Sequence, residues 1–121
     1  MNFDEAIEAH AEWKLRLRVH LEDPEQSGLT AADFEPDDRC DLGNWIRAEY
    51  ASWAHHPSFR TLEQTHREFH LAAASVIRKA EAGERMEAEA ILSGEYARRS
   101  AAVISAIVEF RRRAARPRSD V

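Results

Sequence analysis

Residues 58–83 read SFRTLEQTHREFHLAAASVIRKAEAG, and the spacing of their apolar side chains decides the fold. Phe59, Leu62, His66, Phe69, His70, Ala73, Ile77 and Ala80 recur at steps of three and four, which a 3.6-residue period gathers on one face. Pro57 suits the first turn of such a helix, where an N–H would have no intrahelical partner, and Gly83 supplies its stop. The pattern predicts a long helix with two imidazoles on the face that it buries. His66 and His70 stand one turn apart, a spacing from which both rings can reach a single metal ion.

The flanking sequence predicts more helices around this one. Asn2 and Glu5 form a capping box ahead of Phe3, Ile7, His10, Lys14, Leu17 and Leu21, a helical pattern running to about residue 22. Asp23, Pro24, Ser27 and Gly28 break it, and an acidic, proline-containing loop continues to Asp38. Asp37 or Asp38 is expected to cap a second helix that carries Cys40 in its first turn, with Leu42, Trp45, Ile46 and Trp53, and ends before Pro57. A last helix is expected from about Glu84 to Ala114, with Ile91, Leu92, Tyr96, Val103, Ile104, Ile107, Val108 and Phe110 forming a stripe wider than one bundle seam requires. Its adjacent apolar pairs predict a helix-packed homodimer. The aromatics at helical spacing, Trp13, Trp45, Trp53, Phe59 and Phe69, are expected in the core. The fold expected is an all-α bundle.

Composition bounds the function. A chain of 121 residues has room for one domain, placed at residues 1–114, with 115–121 a basic and disordered tail. Its hydrophobic content of 44% and charged content of 32% are those of a soluble globular protein. A net charge of -5 argues against a general attraction to nucleic acid or to an anionic membrane. The exception is FRRRAARPRSDV, where Arg111, Arg112, Arg113, Arg116 and Arg118 are read as solvating a helix end and favouring its dipole. No apolar run is long enough to span a bilayer and MNFDEAIEAH lacks the features of a secretory signal, so a cytoplasmic location is expected. The single cysteine, Cys40, has no partner for an internal disulfide.

The chemistry lies in four side chains. His10, between Ile7 and Trp13, falls on the apolar face of its own helix, so three histidines point inward. Burying three unsatisfied imidazoles and a thiol would cost about 1–3 kcal/mol per group, a large share of a small domain's stability. A shared zinc ion removes that cost. Cys40 supplies the fourth donor of a closed tetrahedral site, and its place near a helix N-terminus is expected to lower the thiol pKa. Imidazole with thiolate suits zinc, whereas magnesium and calcium need oxygen ligands.

His10, then CDLGNW at 40–45, then HREFH at 66–70, in this order and at these separations, resemble the chemoreceptor zinc-binding (CZB) family over nearly the whole chain. The resemblance implies a four-helix bundle with a short additional helix carrying the cysteine. It implies one zinc ion per chain held by His10, Cys40, His66 and His70, and a homodimeric state. Family members are appended to chemoreceptors or diguanylate cyclases, where zinc occupancy or oxidation of the cysteine alters output. Neither a receptor coiled coil nor a cyclase domain is present in these 121 residues, so the output would pass to a separate signalling protein of chemoreceptor or diguanylate cyclase type.

Rival readings are weaker. Three histidines with an open fourth position would make a catalytic zinc site, but Cys40 closes that position and Arg67, where zinc proteases carry glutamate, follows His66. No enzyme is expected. A di-iron bundle needs two Glu-x-x-His motifs, and only Glu63 to His66 is found. His20, His55 and His56 are read as solvated. Between a structural staple and a sensor, a single thiolate among imidazoles favours sensing, because one oxidation event weakens the site.

Overall fold

The computed structural model describes residues 1–23, 25, 28–37 and 40–114, and among them the chain is all-α. Helix α1 spans Phe3–Glu22, with the Asn2 side chain accepting from the Glu5 N–H at 3.1 Å as the capping box requires. A single turn, α2, follows at Ala31–Phe34, then α3 at Asp41–Trp53, α4 at Pro57–Glu81, α5 at Arg85–Ser93 and α6 at Glu95–Ala114. Helix α4 is the central rod. It packs most extensively on α6, then on α5, and also meets α1, α2 and α3. Counting α5 and α6 as one bent rod, the molecule is a four-helix bundle strapped by α2. Among the described residues, no helix is long and apolar enough to cross a membrane.

The predicted stripe of α4 is the buried one: Phe59, Leu62, Phe69, Ala73 and Ile77 are all fully buried. Against them lie Leu17 of α1, Leu42 of α3, Leu92 of α5 and Tyr96, Val103 and Ile107 of α6. Each large apolar side chain so buried is worth about 1.5–3 kcal/mol. Helix α3 touches α4 over a short length and is anchored by aromatic rings. Trp45 meets Phe3 of α1 at 5.3 Å and Phe110 of α6 at 5.5 Å, and Trp53 meets Phe110 at 5.1 Å.

Four local readings need correction. The segment expected to be an irregular loop contains α2, whose Thr30 side chain accepts from the Asp33 N–H at 3.2 Å. The cap of α3 is Cys40 itself, in extended geometry, so the cysteine stands one residue ahead of its helix and not inside the first turn; Asp38 lies outside the described residues. The last helix is interrupted at Gly94, whose N–H is shared between Ala90 O and Ile91 O, and a Cβ placed there would come within 3.0 Å of Ala90 O. His20, read as solvated, is 1% exposed on the inner face of α1, near Glu81.

Other expectations hold. Gly83, with φ +78°, adopts the left-handed conformation that ends α4 without steric cost. His55 is exposed, as expected, whereas His56, read as solvated, is half-buried, within 2.8 Å of Ser58 Oγ and edge-on to the rings of Trp53 and Phe110. Arg111 pairs with Asp4, and Arg112 pairs within its own helix with Glu109 at 2.6 Å, both arginines solvent-accessible in the last turn of α6. The tail at 115–121, with Arg116 and Arg118, lies outside the described residues.

Candidate metal centre

The structure brings together all four residues singled out from sequence. His10 comes from α1, Cys40 from the start of α3, and His66 and His70 from successive turns of α4. One donor atom from each lies within 4.8 Å of the other three. His66 Nε2 is 3.1 Å from His70 Nε2 and 3.2 Å from Cys40 Sγ, and His70 Nε2 is 3.7 Å from Cys40 Sγ. A tetrahedral ion with bonds of about 2.0–2.3 Å sets its donors about 3.3–3.6 Å apart, so these separations are those of a ligand shell.

Proton counting points the same way. His10 Nδ1 lies 2.6 Å from Ala6 O, and His70 Nδ1 lies 2.8 Å from Phe34 O. A carbonyl oxygen only accepts, so each Nδ1 carries the proton and donates it. In the neutral rings each Nε2 is then a lone pair aimed into the cluster, the orientation that outer hydrogen bonds give to metal-binding histidines. Phe34 adds a second restraint, its ring stacked on that of His70 at 4.6 Å and 24°.

Burial keeps the rings neutral. His66 is 1% exposed, and desolvation, reinforced by His70 and His10 beside it, pushes its pKa down to about 2. Burial also lowers the pKa values of His10 and His70, against a smaller opposing effect of the carbonyls that they bond. The thiol departs from expectation. Although the Gly43 N–H points at Cys40 Sγ at 3.4 Å, burial outweighs it and raises the Cys40 pKa. The helix terminus by itself therefore does not produce the thiolate; a bound cation would, since a coordinated thiol loses its proton.

Sequence reasoning did not find Ala6 O and Phe34 O, which fix two of the rings. The first was legible in principle, being four residues before His10 on one helix. The second belongs to a one-turn helix and is a backbone atom with no side-chain signature.

Three nitrogens and one sulfur converging from three helices define a metal-binding helical bundle. The model of the chemoreceptor zinc-binding domain family matches residues 10–77, more than half of the chain and inclusive of all four donor residues. The chain belongs to the chemoreceptor zinc-binding (CZB) family. No curated protein and no solved structure matches it.

Proposed function

We propose that this chain is a zinc-responsive regulatory domain in which His10, Cys40, His66 and His70 bind one zinc ion, and in which loss of zinc or oxidation of Cys40 changes how α1, α3 and α4 pack. The convergence of the four donor atoms within 4.8 Å carries the reading. Four protein donors complete a tetrahedron and leave no position for substrate, so the role is regulatory and not catalytic. The donors sit on three helices, which ties ligation to interhelical geometry.

Cys40 is the responsive member. It is half-buried where the three imidazoles are buried, and it forms part of the wall of a cavity of about 660 Å³. A small oxidant reaching it converts thiolate to sulfenic acid. With hypochlorous acid the sulfur gains the hydroxyl oxygen and chloride leaves. Zinc release under hypochlorous acid, followed with a chromophoric chelator, is expected from the zinc-loaded chain and not from Cys40→Ser, which binds zinc more weakly from the outset. Equal release from both proteins would remove Cys40 as the sensing group.

The cytoplasm, where the thiol stays reduced, is the setting this reading requires, with a separate chemoreceptor or diguanylate cyclase type protein taking the output. A second copy of the chain is the other partner. Helix α6 leaves Ala97, Ala101, Ile104 and Val108 at helical spacing on its outer side, exposed or half-buried, and α1 leaves Leu15 and Val19 at 68% and 52% exposure. Light scattering at micromolar concentration is expected to give twice the chain mass, and Val108→Glu to give the monomer. A wild-type monomer would dismiss the dimer and leave the zinc site standing.

A further inference from the structure

Phe34 ties helix α2 to the metal centre by its carbonyl and by its ring. It stands at the last position of α2, and the carbonyl of a helix's final residue has no donor within the helix. Phe34 O instead lies 2.8 Å from His70 Nδ1, which donates to it across 36 residues of chain. The ring is stacked on the His70 imidazole at 4.6 Å and 24°, and meets Trp13 of α1 edge-on at 4.1 Å and 67°. His70 is thus held both at its outer nitrogen and across its plane, with Nε2 left facing His66 Nε2 at 3.1 Å.

His10 is held differently. Its Nδ1 donates to Ala6 O, four residues back on the same helix, so that bond persists wherever α1 is helical. The His70 bond persists only where α2 is docked. Four residues do not sustain a helix by themselves, so α2 depends on packing through its buried Ala31 and Phe34.

A neutral imidazole has one proton for two nitrogens. Zinc at Nε2 fixes that proton on Nδ1 and, by drawing electron density from the ring, makes the N–H a stronger donor to Phe34 O. The ion and the docked helix therefore favour the same state of one ring, and what each adds to the other is equal. We propose that Phe34 is a positioning residue of the metal centre, which aims His70 Nε2 at the ion and through which zinc occupancy tightens the docking of α2 on α4. This inference rests on the zinc reading above.

Competition against a chromophoric chelator tests the positioning. Phe34→Leu, which keeps apolar bulk and loses the flat ring, is expected to bind zinc about tenfold more weakly, the effect of losing an outer contact to a metal-binding histidine. Phe34→Tyr, which keeps the ring, should return affinity to within about threefold of wild type. Phe110→Leu removes a ring that packs on Phe3, Trp45 and Phe59. It should lower the thermal midpoint and leave zinc affinity unchanged, which separates positioning from stability.

A second measurement needs no variant. In the full wild-type chain the amide protons of Phe34 and Glu35, bonded to Thr30 O at 3.2 Å and Ala31 O at 2.8 Å, should exchange with solvent about tenfold more slowly with Zn²⁺ than without, as reciprocal coupling requires. Wild-type affinity in a folded Phe34→Leu overturns the positioning role. Should that variant not fold, exchange at Phe34 and Glu35 that is the same with and without zinc overturns it equally. A wild-type chain that takes up no zinc at equilibrium overturns the zinc reading itself, so the two failures are distinguishable.

Discussion

Replacing His66 by alanine should weaken zinc binding by about a hundredfold or more at neutral pH. Structural zinc sites contribute about 10–16 kcal/mol through four ligands, so one ligand carries about 3 kcal/mol, a factor of about a hundred. His66 is the most severe choice because it is the centre of the cluster, within 3.2 Å of both Cys40 Sγ and His70 Nε2. It is also buried to 1% exposure, so water reaches the vacated position poorly. Competition against a chromophoric chelator measures the change. His55→Ala, at an exposed ring, should leave affinity where it was. An affinity retained within about threefold in His66→Ala would be less than 1 kcal/mol, too little for a ligand.

Removing the metal should lower the thermal midpoint by about 15 °C while leaving most of the helix in place. Zinc at about a thousand times its dissociation constant stabilises by about 4 kcal/mol, and each kcal/mol moves a domain of this size by about 4 °C. Helix persists because Leu17, Leu62, Phe69, Ile77 and Ile107 are fully buried, and their burial stabilises the bundle independently of an ion.

The stripped protein should then depend on pH in a set direction. His10, His66 and His70 have pKa values below the ordinary 6.5, so below that pH the unfolded chain binds more protons and stability falls as pH falls. Cys40 has a raised pKa, so its contribution is lost as pH rises above the ordinary 9.0. Urea midpoints should form a plateau between about pH 6.5 and 9 and drop on either side. Equal midpoints at pH 7.5 and pH 5.5 would contradict the buried, neutral rings.

Much of this was legible in the chain. The face shared by Leu62, His66, Phe69, His70 and Ile77 announces the central helix, and the pair of imidazoles on it points to a metal only once His10 and Cys40 are read beside it. His10 follows from the same logic on α1. What sequence did not show has local causes. Four residues, Ala31–Phe34, are too few for any period to be read, yet their turn brings Phe34 O to His70. Gly94 inside a helical pattern costs only about 1 kcal/mol and so does not announce a break, although a Cβ at that position would come within 3.0 Å of Ala90 O. His20 is a polar residue on a buried face, indistinguishable in sequence from one at the face's edge. The thiol of Cys40 shifts upward because burial outweighs the helix N-terminus, a balance that spacing cannot weigh.

The account stands on three imidazole nitrogens and one thiolate sulfur sharing one zinc ion. Zinc-edge X-ray absorption on the stoichiometrically loaded chain addresses this directly. The account predicts a shell of one sulfur at about 2.3 Å and three nitrogens at about 2.0 Å. A shell without sulfur, or one completed by several oxygens, would contradict it.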